Sequence, residues 1–250
     1  MLTLPMMAGL GLTVLATSFL SGLFGMAGGM VLMGLLLMLL PVPAAMLLHG
    51  ITQFTSNGWR AWLWRDRVDW RIVGRFCGGG AVAAGLFALF GAVPDRGVSL
   101  LILGLTPYLA LAVPQRWALD AQKPLHGWLA GLLCMGVQLV AGISGPLLDV
   151  FYVRSDMPRQ NVVATKATTQ VFGHAVKVAY FAPMMGGGSG QTVEAVVILL
   201  SIVMALLGTN LSRCALDRMS DAQFRRWSRY LVMGTASVYL SQGVFLLAFP

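Results

Sequence analysis

Charged residues are scarce in this sequence. Only 10% of its 250 residues are Asp, Glu, Lys or Arg, and 57% are hydrophobic, whereas a soluble domain carries about 25% charged residues. A soluble globule of this composition would expose large apolar patches, which soluble proteins avoid. The scarcity of charge therefore excludes a soluble enzyme, a soluble nucleic-acid-binding domain and a disordered chain. It predicts an all-α polytopic integral membrane protein whose main partner is the lipid bilayer.

Motifs for catalysis and metal binding are also missing. The three cysteines, Cys77, Cys134 and Cys214, are odd in number and form no CxxC pair, so we interpret them as small buried hydrophobic residues. No HExxH, P-loop or GxSxG pattern occurs. The sequence accordingly predicts no metal, no cofactor and no enzymatic activity.

Acidic residues are fewer than basic ones. Nine Asp and Glu stand against 17 Lys and Arg, which gives a formal net charge of +8. The basic residues lie mainly in short loops between apolar runs, so we interpret them as determinants of helix orientation in the membrane. We expect no nucleic-acid partner. The stretches 60–75 and 212–229 each hold five arginines and two aspartates. Both are expected on the cytoplasmic side, the second of them on the membrane surface.

Two long apolar runs are interrupted by glycine. The run 4–40 has a glycine-rich break at 22–29, and the run 125–153 has one at 142–146. Because glycine destabilises a helix, each run is predicted to be a broken helical hairpin, followed by three transmembrane helices. The first predicted repeat covers 1–113 and consists of hairpin 4–40 and helices 44–64, 70–92 and 97–113. A linker follows at 114–124. The second predicted repeat covers 125–250 and consists of hairpin 125–153 and helices 160–182, 191–209 and 230–249.

A constant offset relates the two halves. Adding 117 to a residue number moves the arginine-rich loop 65–69 onto the uncharged stretch 182–186. Equivalent loops are then expected on opposite sides of the membrane, as two inverted-topology repeats require. The sequence leaves open whether each hairpin dips into the membrane or crosses it twice. The same shift moves Gly25 onto Gly142, Gly28 onto Gly145, His49 onto Lys166, Thr52 onto Thr169, Gln53 onto Gln170, Asn57 onto His174 and Arg60 onto Lys177.

Polar residues form one stripe on each of two predicted helices. Their spacings are three, four, seven, eight and eleven from His49 in helix 44–64, and three, four, eight and eleven from Lys166 in helix 160–182. Each series is one face of an α-helix. A charged side chain inside the bilayer is costly, so it faces a cavity or a protein partner and indicates function. The stripes hold His49, Thr52, Gln53, Ser56, Asn57 and Arg60, and Lys166, Thr169, Gln170, His174 and Lys177.

The charges of the stripes favour an anion. Lys166 is the central ionisable residue, and the helices that restart after Gly29 and Gly145 are expected to direct free backbone N–H groups at the same site. Arg60 and Lys177 lie near helix ends, where a long side chain can extend to the membrane surface. The predicted substrate-binding residues are Lys166, Thr52, Gln53, Thr169, Gln170, His49, Asn57, His174, Gly28, Gly29 and Gly145.

Asp149 is an acidic residue just beyond the second break. Two interpretations are open: a buried ion pair with Lys166, or a coupling site for a proton or a cation. We favour the ion pair and keep Asp149 as the coupling candidate.

Other functions fit parts of the pattern. His49 and His174 could ligate a haem, but the offset does not relate them to each other, which disfavours this interpretation. The stripes could also be hydrogen-bonding contacts between the helices of a membrane scaffold or biogenesis factor. An anion channel would present the same residues as a transporter.

The chain resembles the sulfite exporter TauE/SafE family, also called the toluene sulfonate uptake permease family. The resemblance rests on the break 22–29, the run 142–148, the run 163–167 and the loop that ends at 68–70. It implies a secondary transporter in the bacterial inner membrane that carries sulfite or short organosulfonates by alternating access. The coupling ion, the direction of transport and a homo-oligomeric state stay open at this point.

Overall fold

The apolar runs form helices throughout the computed structural model. It describes residues 4–24, 27–114, 117, 119–152, 155–185, 193–216 and 221–249. Within these ranges there are ten α-helices and no β-strand. They are α1 (Leu4–Phe24), α2 (Ala27–Leu39), α3 (Val42–Leu63), α4 (Trp70–Phe90), α5 (Arg96–Ala112), α6 (Pro124–Ala141), α7 (Gly145–Val150), α8 (Arg159–Phe181), α9 (Ala195–Leu216) and α10 (Asp221–Ala248).

Five of these helices are long and apolar enough to cross a membrane. They correspond to α1, α4, α6, α9 and α10. Helices α3 and α8 are of similar length, with 22 and 23 residues, but they carry the two polar stripes. The most exposed of the large apolar side chains include Leu39, Leu89 and Phe90, which are 74%, 81% and 82% exposed. An apolar outer surface and apolar helices of this length are those of a multi-pass membrane protein.

Local sequence sets most helix ends. Asp69 accepts hydrogen bonds from the amides of Arg71 and Ile72, and so caps the start of α4. Asp95 caps α5 in the same way. Helix α4 ends at Gly91, whose φ of 59° is the left-handed conformation that glycine adopts most easily. Prolines occupy the first turns of α3, α6 and α7, where their missing N–H costs nothing.

The helices on either side of the segment 212–229 are longer than predicted. The last two helices were expected at 191–209 and 230–249, yet α9 runs on to Leu216 and α10 begins at Asp221. The two helices therefore take up most of this segment, because their regular hydrogen bonding continues into the charged region. Residues 217–220 lie outside the described residues, as do Gly25 and the glycine-rich stretch 186–190.

Each glycine-broken run forms a long helix and a short one. Helix α2 has 13 residues and α7 has six, which correspond to about 20 Å and about 9 Å. Both are shorter than the roughly 30 Å hydrocarbon layer. At the end of the second run, the carbonyl of Phe151 accepts a hydrogen bond of 2.8 Å from the amide of Ala121. The second run therefore ends beside the residues that precede it.

The helices pack mainly in four pairs: α1 with α9, α4 with α6, α3 with α8, and α5 with α10. Helices α3 and α8 are antiparallel, because Gly50 faces Val178 and Gly58 faces Val171. Helices α5 and α10 are also antiparallel, because Gly97 faces Leu247 and Gly104 faces Leu240. Helices α1 and α9 are parallel, because Gly11 faces Leu200 and Gly22 faces Ser212.

Helix α2 lies at the centre of this arrangement. It contacts α1, α3, α5 and α10, and its Met30, Met33 and Leu37 are buried in the largest apolar cluster. The phenol of Tyr239 in α10 donates a hydrogen bond of 3.1 Å to the carbonyl of Val31. Helix α2 is therefore a buried element, and its first turn lies inside the protein.

The pair α4–α6 is held together by very close backbone contact. A Cβ atom at Gly79 would collide with the carbonyl oxygen of Trp128, and one at Gly131 would collide with that of Phe76. Small residues at such contacts are the usual means by which membrane helices approach each other. The α1–α9 pair has a similar contact, because a Cβ at Gly208 would collide with the carbonyl of Leu15.

We expect Gly79→Ala to lower the Tm of the detergent-purified protein by several degrees, because α4 and α6 must separate to admit the methyl group. Overpacking of this kind costs about 1–3 kcal/mol. Gly85→Ala in the same helix is the matched control, since no atom lies within 4 Å of its Cβ position. Equal Tm values for the two variants would contradict the close packing of α4 and α6.

Candidate functional site

The two polar stripes face each other between α3 and α8. His49, Gln53 and Asn57 of α3 are buried, and so are Thr169 and His174 of α8. Because the two helices are antiparallel, the middle of each stripe meets the middle of the other. The polar groups predicted on two separate helix faces thus share one interior, which is formed by α3, α8 and the two breaks.

Lys177 is completely buried in this interior. Its ammonium donates hydrogen bonds of 2.7 Å to Nδ1 of His49 and 2.7 Å to the carbonyl oxygen of Gly142. The sequence leaves open whether Lys177 belongs to the interior stripe or extends to the membrane surface, and the structure places it in the interior. The turn at Gly142 reaches into the protein and presents a carbonyl to the ammonium, which the position of Lys177 along α8 does not reveal.

His49 connects this lysine to the first break. Its Nε2 lies 2.9 Å from the carbonyl oxygen of Gly29. Since Nδ1 accepts from Lys177, Nε2 carries the proton and donates to Gly29, an assignment that follows from the hydrogen-bond network. One chain of hydrogen bonds thus runs from Gly29 through His49 and Lys177 to Gly142, and we call it the interbreak link. It joins the two glycine breaks directly.

Gly142 has the backbone conformation that this link requires. Its φ is 82°, in the left-handed region, and its amide donates to the carbonyl of Gln138 at the end of α6. A Cβ atom here would also collide with the sulfur of Met33. Only glycine therefore fits at this position, both for its φ and for the space around it.

Two buried residues that the sequence analysis did not predict complete the second break. The hydroxyl of Ser144 donates to Oε1 of Gln138 at 2.8 Å, and Nε2 of Gln138 lies 3.4 Å from Nδ1 of His174. Nε2 of His174 in turn lies 3.2 Å from Oε1 of Gln170. A lone glutamine in the apolar run 125–153 was the available signal. Both ring nitrogens of His49 and of His174 bond to protein groups, which argues against the haem interpretation.

A second group of contacts lies further along α3. The guanidinium of Arg60 donates to Oδ1 of Asn57 at 2.8 Å and to the carbonyl of Ser21 at 3.4 Å. Nδ2 of Asn57 donates to the carbonyl of Gln53 at 2.9 Å. The sequence left the same two positions open for Arg60, and these bonds direct it toward α1 inside the protein.

The first break differs in one detail from its prediction. Helix α2 begins at Ala27, so Gly28 and Gly29 lie in its first turn and do not precede it. Both glycines are buried. In the second break α7 begins at Gly145, as predicted, with Pro146 in its first turn, but this helix has only six residues.

Lys166 lies at the edge of the site and is paired with Asp149. The two side chains are 21% and 48% exposed, respectively. The ion pair favoured by the sequence analysis is thus present. The carboxylate neutralises Lys166, so Lys166 is not an unpaired counter-charge for a substrate in this conformation.

The two threonines hydrogen bond within their own helices. The hydroxyl of Thr52 donates to the carbonyl of Leu48 at 2.8 Å, and that of Thr169 donates to the carbonyl of Lys166 at 2.9 Å. Their hydroxyl protons are therefore engaged within the helices in this conformation, and donation to a substrate stays a prediction. Among the described residues, no group of three or more His, Cys, Asp and Glu side chains is arranged to hold a metal ion.

The comparison with known families agrees with this architecture. The family model described as "Sulfite exporter TauE/SafE" matches residues 10–239, which is nearly the whole chain. The chain belongs to the sulfite exporter TauE/SafE family. The match includes both breaks, both polar stripes and the interbreak link. TauE/SafE membership indicates a membrane exporter or permease for sulfite or sulfonates. Comparisons with curated proteins and with solved structures gave no match.

We expect Gln138→Leu to lower the Tm clearly more than Asp149→Asn does. The first substitution removes the buried partner of the Ser144 hydroxyl and of Nδ1 of His174, which costs about 1–3 kcal/mol. The second breaks a partly exposed ion pair, and such pairs contribute about 0–1 kcal/mol. Thermal unfolding of the two variants in the same detergent checks the order. The reverse order would show that the Lys166–Asp149 pair is the more important contact.

Proposed function

We propose that this TauE/SafE protein is a secondary transporter of small anions, and that its substrates are sulfite or short organosulfonates. The substrate binds between α3 and α8, beside the two breaks, and nothing is chemically converted. The family match supports the transport of sulfur-containing anions. The observation that carries the binding site is the buried ammonium of Lys177.

Lys177 needs a negative charge. Removing an ammonium from water costs several kcal/mol unless it is paired, and both hydrogen-bond partners of Lys177 are neutral. An anion that enters the site offsets this cost. The oxygens of a sulfonate or sulfite accept charge-assisted hydrogen bonds, which are shorter and stronger than neutral ones. An ammonium has three N–H donors, two of which the interbreak link uses.

Lys177 also connects substrate binding to a conformational change. It holds the Gly142 carbonyl on one side and, through His49, the Gly29 carbonyl on the other. A substrate oxygen competes for the same ammonium and weakens the bond to Gly142. A ligand shifts a conformational equilibrium only if its contacts differ between the two states. In this proposal, the interbreak link is the contact that differs.

The fold supports alternating access by two inverted repeats, 1–113 and 125–250. Helices α3 and α8 are equivalent in the two halves, as are α5 and α10, and both pairs are antiparallel. Helix α1 likewise corresponds to α6, and α4 corresponds to α9, so the pair α1–α9 in one half of the pattern corresponds to the pair α4–α6 in the other. A two-fold axis perpendicular to the helices produces this pattern, which is typical of transporters with inverted repeats. The short α2 and α7 are then re-entrant elements that meet near the axis.

The proposal also includes the membrane, the coupling ion and the oligomeric state. The protein lies in the plasma membrane, which is the inner membrane of a bacterium, with the arginine-rich loop 65–67 in the cytoplasm. Asp149 is the candidate for proton or cation coupling, because its carboxylate is partly exposed and paired with a lysine. Assembly into a homo-oligomer is compatible with the apolar outer surface. No cofactor and no nucleic acid take part.

We expect Lys177→Met to abolish saturable uptake of sulfite into proteoliposomes, whereas Lys166→Met keeps most of it. Both variants replace a lysine of α8 by a side chain of similar length, so they form a matched pair. Lys177→Met removes a costly buried charge, but it also leaves Nδ1 of His49 and the carbonyl of Gly142 without their donor, so the Tm is measured to confirm that the variant is folded. Flux is measured with wild-type protein as reference at fixed ionic strength.

The same experiment separates the alternatives. Saturable wild-type flux supports a carrier, whereas high, non-saturating flux indicates an anion channel. The absence of wild-type flux for sulfite and for organosulfonates would instead favour a membrane scaffold or biogenesis factor. Wild-type rates in Lys177→Met would contradict the role assigned to Lys177.

A further inference from the structure

Four side chains of α1 and α3 have a buried polar atom without a hydrogen-bond partner within the described part of the protein. Ser18 and Ser21 are in α1, and Gln53 and Arg60 are in α3. The atoms are the two serine hydroxyl oxygens, Nε2 of Gln53 and Nε of Arg60. Both serines are 0% exposed and Gln53 is 4% exposed. Buried polar groups without partners are rare in proteins and need an explanation.

Three of these groups converge on the first turn of α2. A Cβ atom placed at Gly28 would lie 2.8 Å from Oγ of Ser21, and one placed at Gly29 would lie 3.1–3.2 Å from the amide atoms of Gln53. The guanidinium of Arg60 reaches the same region, because it donates to the carbonyl of Ser21 at 3.4 Å. The two glycines thus let side chains of α1 and α3 approach the backbone of α2.

The first turn of α2 itself supplies donors. The first four N–H groups of a helix have no acceptor within the helix, and they carry the positive end of its dipole. Helix α2 is 13 residues long and its first turn is buried. Because Gly28 and Gly29 have no side chain, Ser21 and Gln53 lie close to the backbone of this turn.

The chemistry of this group is that of hydrogen-bond donation. Nε of Arg60 and Nε2 of Gln53 can only donate, and serine hydroxyls can donate as well. Donors therefore come from three separate elements: a hydroxyl from α1, backbone amides from α2, and an amide and a guanidinium from α3. Three directions of donation match a group with three acceptor oxygens, and the guanidinium supplies the positive charge.

We propose that Ser21, Gln53, Arg60 and the first-turn amides of α2, together called the α2 cluster, bind the XO3 group of a sulfonate or sulfite. This inference rests on the proposed function and adds a subsite to it. Arg60 lies eleven residues from His49, which is about 16 Å along α3. The α2 cluster is therefore separate from Lys177, although Gln53 lies only one helical turn from His49.

The two subsites follow one face of α3. Arg60 is the residue nearest the cytoplasmic loop 65–67, and Lys177 lies deeper in the protein. An anion can thus be held at the α2 cluster before or after it contacts Lys177. The cluster selects by the number of oxygens, and Lys177 provides the central charge.

Methanesulfonate and acetate are matched probes for the α2 cluster, because both are monoanions with one methyl group and they differ in having three or two oxygens. Binding is measured by titration calorimetry on full-length, detergent-purified protein at fixed ionic strength. We expect methanesulfonate to bind at least tenfold more tightly than acetate. We expect Ser21→Ala and Gln53→Leu to weaken methanesulfonate binding by about tenfold to hundredfold, the range for lost hydrogen bonds to a charged group.

Gln53→Glu is the sharper variant, because it keeps the shape of the side chain and replaces donors by a negative charge. We expect it to abolish methanesulfonate binding at unchanged Tm. Thr55→Val is the control on the same helix, since the Thr55 hydroxyl bonds to the carbonyl of Ile51 and does not contact the cluster. We expect it to bind as the wild type does.

The outcomes separate this inference from the proposed function. Wild-type affinity in folded Gln53→Glu, together with wild-type transport of sulfite, would overturn the α2 cluster and leave the proposed function intact. Selective methanesulfonate binding that Gln53→Glu removes, without flux in proteoliposomes, would support the cluster and overturn transport. Equal affinities for methanesulfonate and acetate in the wild type would overturn the selection by oxygen number.

Discussion

The interbreak link is the contact on which the interior of this protein depends. A charged ammonium lies in a region without bulk water, and it is held by an imidazole and by one carbonyl of a glycine turn. Because isolated charges are costly in such a medium, the two breaks must approach each other closely enough for this chain of bonds to form. The glycine at 142, the antiparallel pairing of α3 and α8, and the burial of α2 all serve that approach. Since both breaks take part, neither half of the chain can form the interior alone.

Much of this could be predicted from the sequence, because helices have a fixed period. The two stripes lie on single helix faces, the breaks interrupt helices near the predicted glycines, and the helices begin and end close to local signals such as Asp69 and Asp95. The family was also recognisable from short runs around the breaks, and the match over residues 10–239 confirms it. Periodicity shows which residues share a face. It does not show which element covers that face.

The contacts that the sequence does not reveal follow from this limit. Lys177 and Arg60 lie near helix ends in the sequence, and only the inward turn at Gly142 and the end of α1 give them buried partners. Lys166 has a central position in its stripe, but a carboxylate 17 residues earlier folds back onto it. Gln138 was overlooked because a single amide in an apolar run produces no pattern. Each case depends on a contact between distant segments, which no local rule contains.

The close glycine contacts also determine which parts can act as rigid bodies. The α4–α6 pair joins a helix of the first half to the hairpin of the second, and the α1–α9 pair joins the hairpin of the first half to a helix of the second. Backbones in such tight contact cannot slide without collisions. Each of these helix pairs therefore moves as one rigid unit, and each unit contains helices from both halves of the sequence. The α5–α10 pair has the same kind of contact, because a Cβ atom at Gly104 would lie 2.5 Å from the backbone nitrogen of Leu240. The glycines of α3 face side chains of α8 instead, so relative motion is left to the α3–α8 interface, and the rigid units of the protein do not coincide with the two halves of its sequence.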